Sequence, residues 1–155
     1  MRMRIFLLAA LLGPLAGCAT LGLGPSTKTA APAPAPAPVV APMPKPTATS
    51  AEALDTTTAA QRAEAAKKPS GGEERLGATI ASLGDPTQPG FWVRTGLVSA
   101  EAEGRIEDPK TGKSAKVTLI PSGKPAGSGS EVSLPALRLL EVPLTELPEL
   151  VVYRL

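Results

Sequence analysis

The sequence predicts a mainly β fold: a small β-barrel with one short helix, preceded by a disordered Pro/Ala-rich linker. Three observations lead there. Residues 74–155 fall into six short apolar runs, with Gly, Pro and Asp turn signals about every ten positions. Leu134, Leu137 and Leu140 recur at helical spacing around Pro135, and a proline in a first helical turn gives up an N–H that has no partner there anyway. Upstream, Pro32, Pro34, Pro36 and Pro38 alternate with alanine, while the aromatics beyond Phe6 are confined to Phe91, Trp92 and Tyr153. A packed core therefore belongs to the C-terminal half.

Residues 1–17 have the layout of a signal peptide. Arg2 and Arg4 make a basic start, and Ile5 to Leu12 is an uninterrupted apolar run, too short to span a bilayer. Gly13-Pro14 breaks any helix before the small residues Ala16 and Gly17 and the single cysteine, Cys18. Leu15-Ala16-Gly17-Cys18 resembles the lipobox of bacterial lipoproteins. The resemblance implies cleavage between Gly17 and Cys18, a diacylglyceryl group on the Cys18 thiol and acylation of the new amine. One acyl chain holds a protein only marginally at a membrane, whereas several hold it durably. Ala19 stands where an aspartate would favour inner-membrane retention, so the implied destination is the periplasmic face of the outer membrane.

Residues 18–73 read as a tether. Alternating proline favours extended polyproline II, at about 3.1 Å per residue, and such a stretch buries too little apolar surface to offset its ordering entropy. From Thr49 to Lys68 the character changes. Thr49 and Glu52 have capping-box spacing, Lys67-Lys68 suits a helix C-terminus, and Pro69-Ser70-Gly71-Gly72 stops it. With Leu54 as its only large apolar residue and Thr56-Thr57-Thr58 in its middle, this is expected to be a marginal, solvated helix.

The barrel domain is expected over 74–155. Its strands are Leu76–Leu83, Phe91–Val98, Gly104–Glu107, Ser114–Ile120, Glu131–Leu134 and Leu150–Tyr153, with a helix over Pro135–Leu140. Gly84-Asp85-Pro86, Gln88-Pro89-Gly90 and Asp108 to Gly112 supply turns, and Pro121 to Ser130, with three glycines and two prolines, is a loop.

Composition removes several function classes. Arg2 and Arg4 account for the whole formal charge of +2, so the chain beyond them is near neutral and nucleic acid is not an expected partner. There is no histidine, and the cysteine is assigned to lipid, which leaves no usual zinc site and no Cys-His or Ser-His pair. No cofactor is expected. A sugar-acid (galactarate) dehydratase of the enolase type finds no support, since that chemistry uses a large (β/α)₈ barrel with metal-binding carboxylates.

Gly104-Arg105-Ile106, the turn ending Thr111-Gly112-Lys113-Ser114, the strand Val117 to Ile120, the Gly/Pro loop, Glu131 to Leu134 and the leucine-rich helix before a closing strand form an ordered series. Over roughly residues 95–155 it resembles the double-psi β-barrel of the rare lipoprotein A family. That resemblance implies an outer-membrane lipoprotein whose barrel acts near or on peptidoglycan. Catalytic members of the family cleave glycan strands with carboxylates, one of which opens an Asn-Asp-Arg-Gly-Pro loop after the strand matching Val117 to Ile120. Here that stretch reads Ile120-Pro121-Ser122-Gly123, so proline replaces the acid and can neither donate nor accept the proton. The family's first motif, Trp-Tyr-Gly with a later glutamate, is not legible between Leu76 and Thr95.

The expectation is a non-catalytic barrel that binds peptidoglycan or an envelope protein, with a lytic glycosidase as the alternative. Asp85 and Asp108 precede prolines in turns, where bonding to the backbone is the ordinary role. Trp92, Lys113 and Glu131 are the candidate ligand contacts: an aromatic able to stack on a sugar, a cation for an anionic peptide stem, and a carboxylate on a strand edge. Phe91 and Trp92 face opposite ways by alternation, so one of them is available to the outside.

Overall fold

A computed structural model describes residues 41–155; Gly17, Cys18 and the Pro/Ala tract lie outside the described residues. In chain order the elements are α1 (Ala51–Leu54), α2 (Ala59–Ala65), β1 (Glu74–Leu83), β2 (Trp92–Thr95), β3 (Ala102–Glu107), β4 (Ser114–Pro121), β5 (Ser130–Val132), α3 (Leu134–Leu139) and β6 (Glu149–Arg154). The protein is mainly β, and the six strands close into one barrel in the order β1-β5-β2-β4-β3-β6. Two pairs, β1 with β5 and β2 with β4, are parallel, and the other four are antiparallel.

Closure depends on β1. Its first part pairs antiparallel with β6, from Glu74 opposite Arg154 to Ile80 opposite Glu149. Its last three residues pair parallel with β5, Ala81 opposite Ser130 to Leu83 opposite Val132. A bulge between Arg75 and Gly77 bends the strand, and Gly77 has φ 150°, a conformation that side-chain-bearing residues rarely adopt.

The interior is aliphatic. Along β4 the burial alternates, with Ala115, Val117 and Leu119 inward and Lys116, Thr118 and Ile120 outward. Val93, Ile106, Val132, Leu150 and Val152 complete the core from the other strands, and α3 with its C-cap residue adds Ala136, Leu137 and Leu140. The leucine spacing thus does what it predicts, presenting one apolar face to the barrel. At Gly104 the neighbouring strands approach so closely that a Cβ would stand 2.5 Å from Leu119 Cγ and 2.7 Å from the Tyr153 carbonyl oxygen.

Three local details differ from expectation. The strand predicted over Phe91–Val98 stops at Thr95, whose hydroxyl accepts a 3.2 Å bond from the Leu97 N–H and turns the chain. The strand predicted to Leu134 ends at Val132. Ser133 keeps contact with Trp92 through its hydroxyl and its N–H, both at 3.0 Å, while Leu134 opens α3. The single helix predicted within 49–68 is two. Ser50, not Thr49, caps α1, and the threonine run breaks the helix before Thr58 and Gln61 form the reciprocal capping box of α2. These two helices are not solvated all round: Asp55 pairs with Arg138 of α3 at 2.9 Å and Glu64 with Lys116 of β4 at 3.2 Å.

A buried arginine ties the barrel seam together. Arg105 on β3 is 5% exposed, its guanidinium stacked 4.1 Å from the centre of the Tyr153 ring on β6. Its Nε and Nη2 donate to the two carboxylate oxygens of Glu73 at 2.6 and 2.7 Å, and Nη1 pairs with Glu107. This fork anchors the residue preceding β1 to the centre of the β3–β6 seam. The bond from Arg105 holds the Glu73 carboxyl below the usual carboxylate range, and burial only partly opposes it.

The pair therefore makes its full contribution above the ordinary glutamate range, near pH ~4.3, and loses it as pH falls through the lower value of the folded state. Urea unfolding followed by Trp92 fluorescence should show Arg105→Ala less stable by about 2–3 kcal/mol at neutral pH. In Glu73→Gln the loss of stability between neutral pH and pH ~3 should be smaller than in the unaltered chain.

Candidate functional site

A cleft of about 390 Å³ opens on the barrel wall where β1, β5 and β2 run side by side. Its floor comes from Ala81 and Ser82 at the end of β1 and from Ser130 and Glu131 of β5, with Ile80 at the rim. Arg94 of β2 closes one side, the loop carrying Ser122, Lys124 and Gly127 to Gly129 another, and Leu147 the rim. Ile80 and Leu147 are large apolar side chains left 50% and 66% exposed. The cleft thus combines Ser, Arg, Lys and Glu side chains with two exposed apolar ones.

Strand register builds the base. Arg94 lies opposite Glu131 in the β2–β5 pair, and its Nη1 donates to Glu131 Oε2 at 2.8 Å. Arg94 Nη2 reaches Gln88 Oε1 at 3.3 Å. The same guanidinium lies 5.2 Å from the centre of the Trp92 ring, two residues earlier on the same face of β2. Arg94 is therefore held between an aromatic ring and a carboxylate. Deeper still, the Thr79 and Ser130 hydroxyls share a 2.8 Å bond.

The loop wall is set by one glycine. The backbone of Lys124 and Pro125 passes directly over Gly96, so closely that a Cβ would stand 2.6 Å from the Pro125 carbonyl oxygen and nearer still to that of Lys124. Ser122 N–H donates to the Thr95 carbonyl at 2.9 Å and pins the start of the same loop.

The candidate residues fall in three places. Glu131 lines the cleft, 40% exposed, and it is the only carboxylate among the lining residues. Trp92 is 3% exposed, sealed by Arg94 and by the 84–90 turn, its indole N–H donating to the Gln88 carbonyl at 3.3 Å. Of the two aromatics, Phe91 is the more exposed, and it faces a separate groove beside α2. Lys113 belongs to the β3–β4 turn, where it pairs with Glu141, and it is not a lining residue of the cleft. The structure brings Trp92 and Glu131 together through Arg94 and leaves Lys113 elsewhere.

The turn aspartates behave as their sequence context predicts. Asp85 Oδ1 accepts from the Thr87 N–H at 2.8 Å and hydroxyl at 2.7 Å, bonds that lower its pKa, the hydroxyl bond most. Asp108 accepts from the Lys110 N–H at 2.9 Å and the Thr111 hydroxyl at 3.0 Å. Pro121 ends β4 opposite Thr95, and the following Ser122 lines the cleft.

Among the described residues no group of three or more His, Cys, Asp or Glu is placed to hold a metal, and no helix is long and apolar enough to cross a membrane. Arg94 escaped the sequence reading because its partners, Glu131 and Trp92, become neighbours only through the β2–β5 register. Compared with protein-family models, curated proteins and solved structures, the chain finds no match in any of the three.

Gly96→Ala should displace the loop wall at a cost of about 1–3 kcal/mol, the range for overpacking. Gly127→Ala, in the same loop with no heavy atom within 4 Å of its added Cβ, should stay within about 0.5 kcal/mol of the unaltered chain. Denaturant midpoints read from Trp92 fluorescence compare the two.

Proposed function

We propose that this chain is an outer-membrane-anchored periplasmic lipoprotein that presents a non-catalytic barrel for binding, with peptidoglycan as the ligand and an envelope protein as the alternative partner. The lipobox-like run ending at Cys18 supports the location, and the Pro/Ala tract supports a domain held away from its membrane anchor. The observation that carries the binding reading is the state of Glu131. The one carboxylate of the cleft is already committed to Arg94, and hydrolysis of a glycosidic bond ordinarily takes two carboxylates, one of them free to deliver a proton. Lys124 and the serines around it leave a cation and hydroxyls for a ligand bearing carboxylates and sugar hydroxyls.

The closed barrel bears on how an envelope protein would dock. With all six strands paired in a ring there is no free edge among the described strands for a partner strand to join. A protein partner would meet side chains at the cleft rim, Ile80 and Leu147 among them.

The test uses the full chain with Cys18→Ser, incubated with purified cell-wall sacculi and pelleted. The expected result is co-sedimentation weakened at least fivefold by Lys124→Ala combined with Arg94→Ala, with no sugar released into the supernatant. Release of soluble muropeptides that Glu131→Gln abolishes would make the protein a lytic glycosidase. Absence from the pellet, with a cross-linked partner captured from envelope extract, would make it a protein-binding module.

A further inference from the structure

We propose that residues 41–66 form a releasable strap, latched to the barrel by Asp55 on Arg138 and by Glu64 on Lys116, and that the strap covers the outward face of β4. The latch and the barrel are built from different forces. Within the barrel the buried side chains are aliphatic and tightly packed. In the strap the fully buried apolar side chains are only Ala41 and Ala65, and α1 buries none.

Polar contacts supply most of the attachment. Asp55 is the centre, with its side chain 2% exposed. Its Oδ1 accepts from the Thr57 N–H and hydroxyl at 3.1 and 2.5 Å, which holds the carboxylate in place inside the strap. Its Oδ2 then receives Arg138 Nη1 across the interface at 2.9 Å, with Arg62 of α2 further off at 3.7 Å. Arg138 also reaches the Ala51 carbonyl at 3.4 Å and the Glu52 carboxylate at 3.7 Å. The second attachment, Lys116 to Glu64 at 3.2 Å, is partly exposed and shared with Lys67.

Beneath the strap the packing is open. A groove of about 740 Å³ runs between α2 and the barrel, with Phe91, Lys116, Thr118 and Ile120 on the barrel side. The strap bridges this face without filling it, so little dispersion energy resists its leaving. A hinge is also present. Gly71 and Gly72 have no heavy atom within 4 Å of where a side chain would sit, and the next residue, Glu73, is clamped to Arg105. Motion of the strap therefore stops at Glu73 and does not propagate into β1. Its release uncovers Lys116, Thr118, Ile120 and the Phe91 ring as one surface.

The test is thiol labelling of the full chain carrying Cys18→Ser, with a chromogenic disulfide reagent. Ala65→Cys places a thiol on the buried side of the strap itself, and Ala115→Cys in a separate protein places one in the barrel core. The thiol at position 65 should react more slowly than a free thiol but at least tenfold faster than the one at 115. Adding Asp55→Asn should accelerate position 65 about tenfold further and leave position 115 unchanged, and raising salt from 0.05 to 1 M, which screens the part-exposed Glu64–Lys116 pair more than the buried Asp55, should accelerate it by a smaller factor. Equal rates at the two positions, or acceleration of both together, would make the strap part of the barrel's cooperative unit and overturn the proposal. So would a position 65 rate that Asp55→Asn and salt leave unmoved, or one equal to a free thiol from the start.

Discussion

Closure of the ring through β1 is the constraint on which everything else rests. One ten-residue strand pairs with β6 along most of its length, through a bulge between Arg75 and Gly77, and with β5 at its end. Because the ring closes, the barrel interior is filled by aliphatic side chains of the strands together with Ala136 and Leu137 of α3 and its C-cap residue Leu140. Closure also explains how so short a domain holds together with three aromatics and no disulfide among its described residues. All backbone edges are paired, and the non-local register is reinforced where Arg105 ties Glu73, Glu107 and Tyr153 into one seam.

The cleft is a consequence of the same geometry. β5 is only three residues long, wedged between a parallel and an antiparallel neighbour, so the Gly/Pro loop leading into it must pass over the barrel wall. Gly96 lets the loop come close, and the β2–β5 register puts Arg94 against Glu131. A carboxylate that sequence context left unpaired thus becomes part of a ring–guanidinium–carboxylate stack. The stack presents fixed donors and a fixed charge beside Lys124 and an apolar rim.

Local signals were legible in the sequence, and distant partnerships were not. Turn chemistry at Asp85-Pro86 and Asp108 to Gly112, together with alternation in 114–121, located all six strands and the helix to within a few residues. These features act over two to four positions and need no tertiary information. Arg94 and Glu131 lie 37 positions apart, Glu73 and Arg105 32, and Asp55 and Arg138 83. No periodicity announces such pairs, and Arg94 meets Glu131 only once β2 is inserted between β4 and β5. Alternation likewise separates Phe91 from Trp92 but does not say that the 84–90 turn folds over the indole. The helical stretch near residue 60 was misread as one solvated helix because its stabilising contacts come from Arg138 and Lys116, outside the window that propensity sees.

The central claim is that the Arg94–Glu131–Lys124 cleft binds a cell-wall ligand without transforming it. Its most direct test is an amide NMR titration of the isotopically labelled chain, carrying Cys18→Ser, with soluble muropeptides. The account predicts saturable shifts at Arg94, at Ser122 to Glu131 and at Ile80 to Ser82, none at Lys113, and ligand sugar resonances unchanged over a day. Shifts confined to other surfaces, or new sugar resonances growing with time, would contradict it.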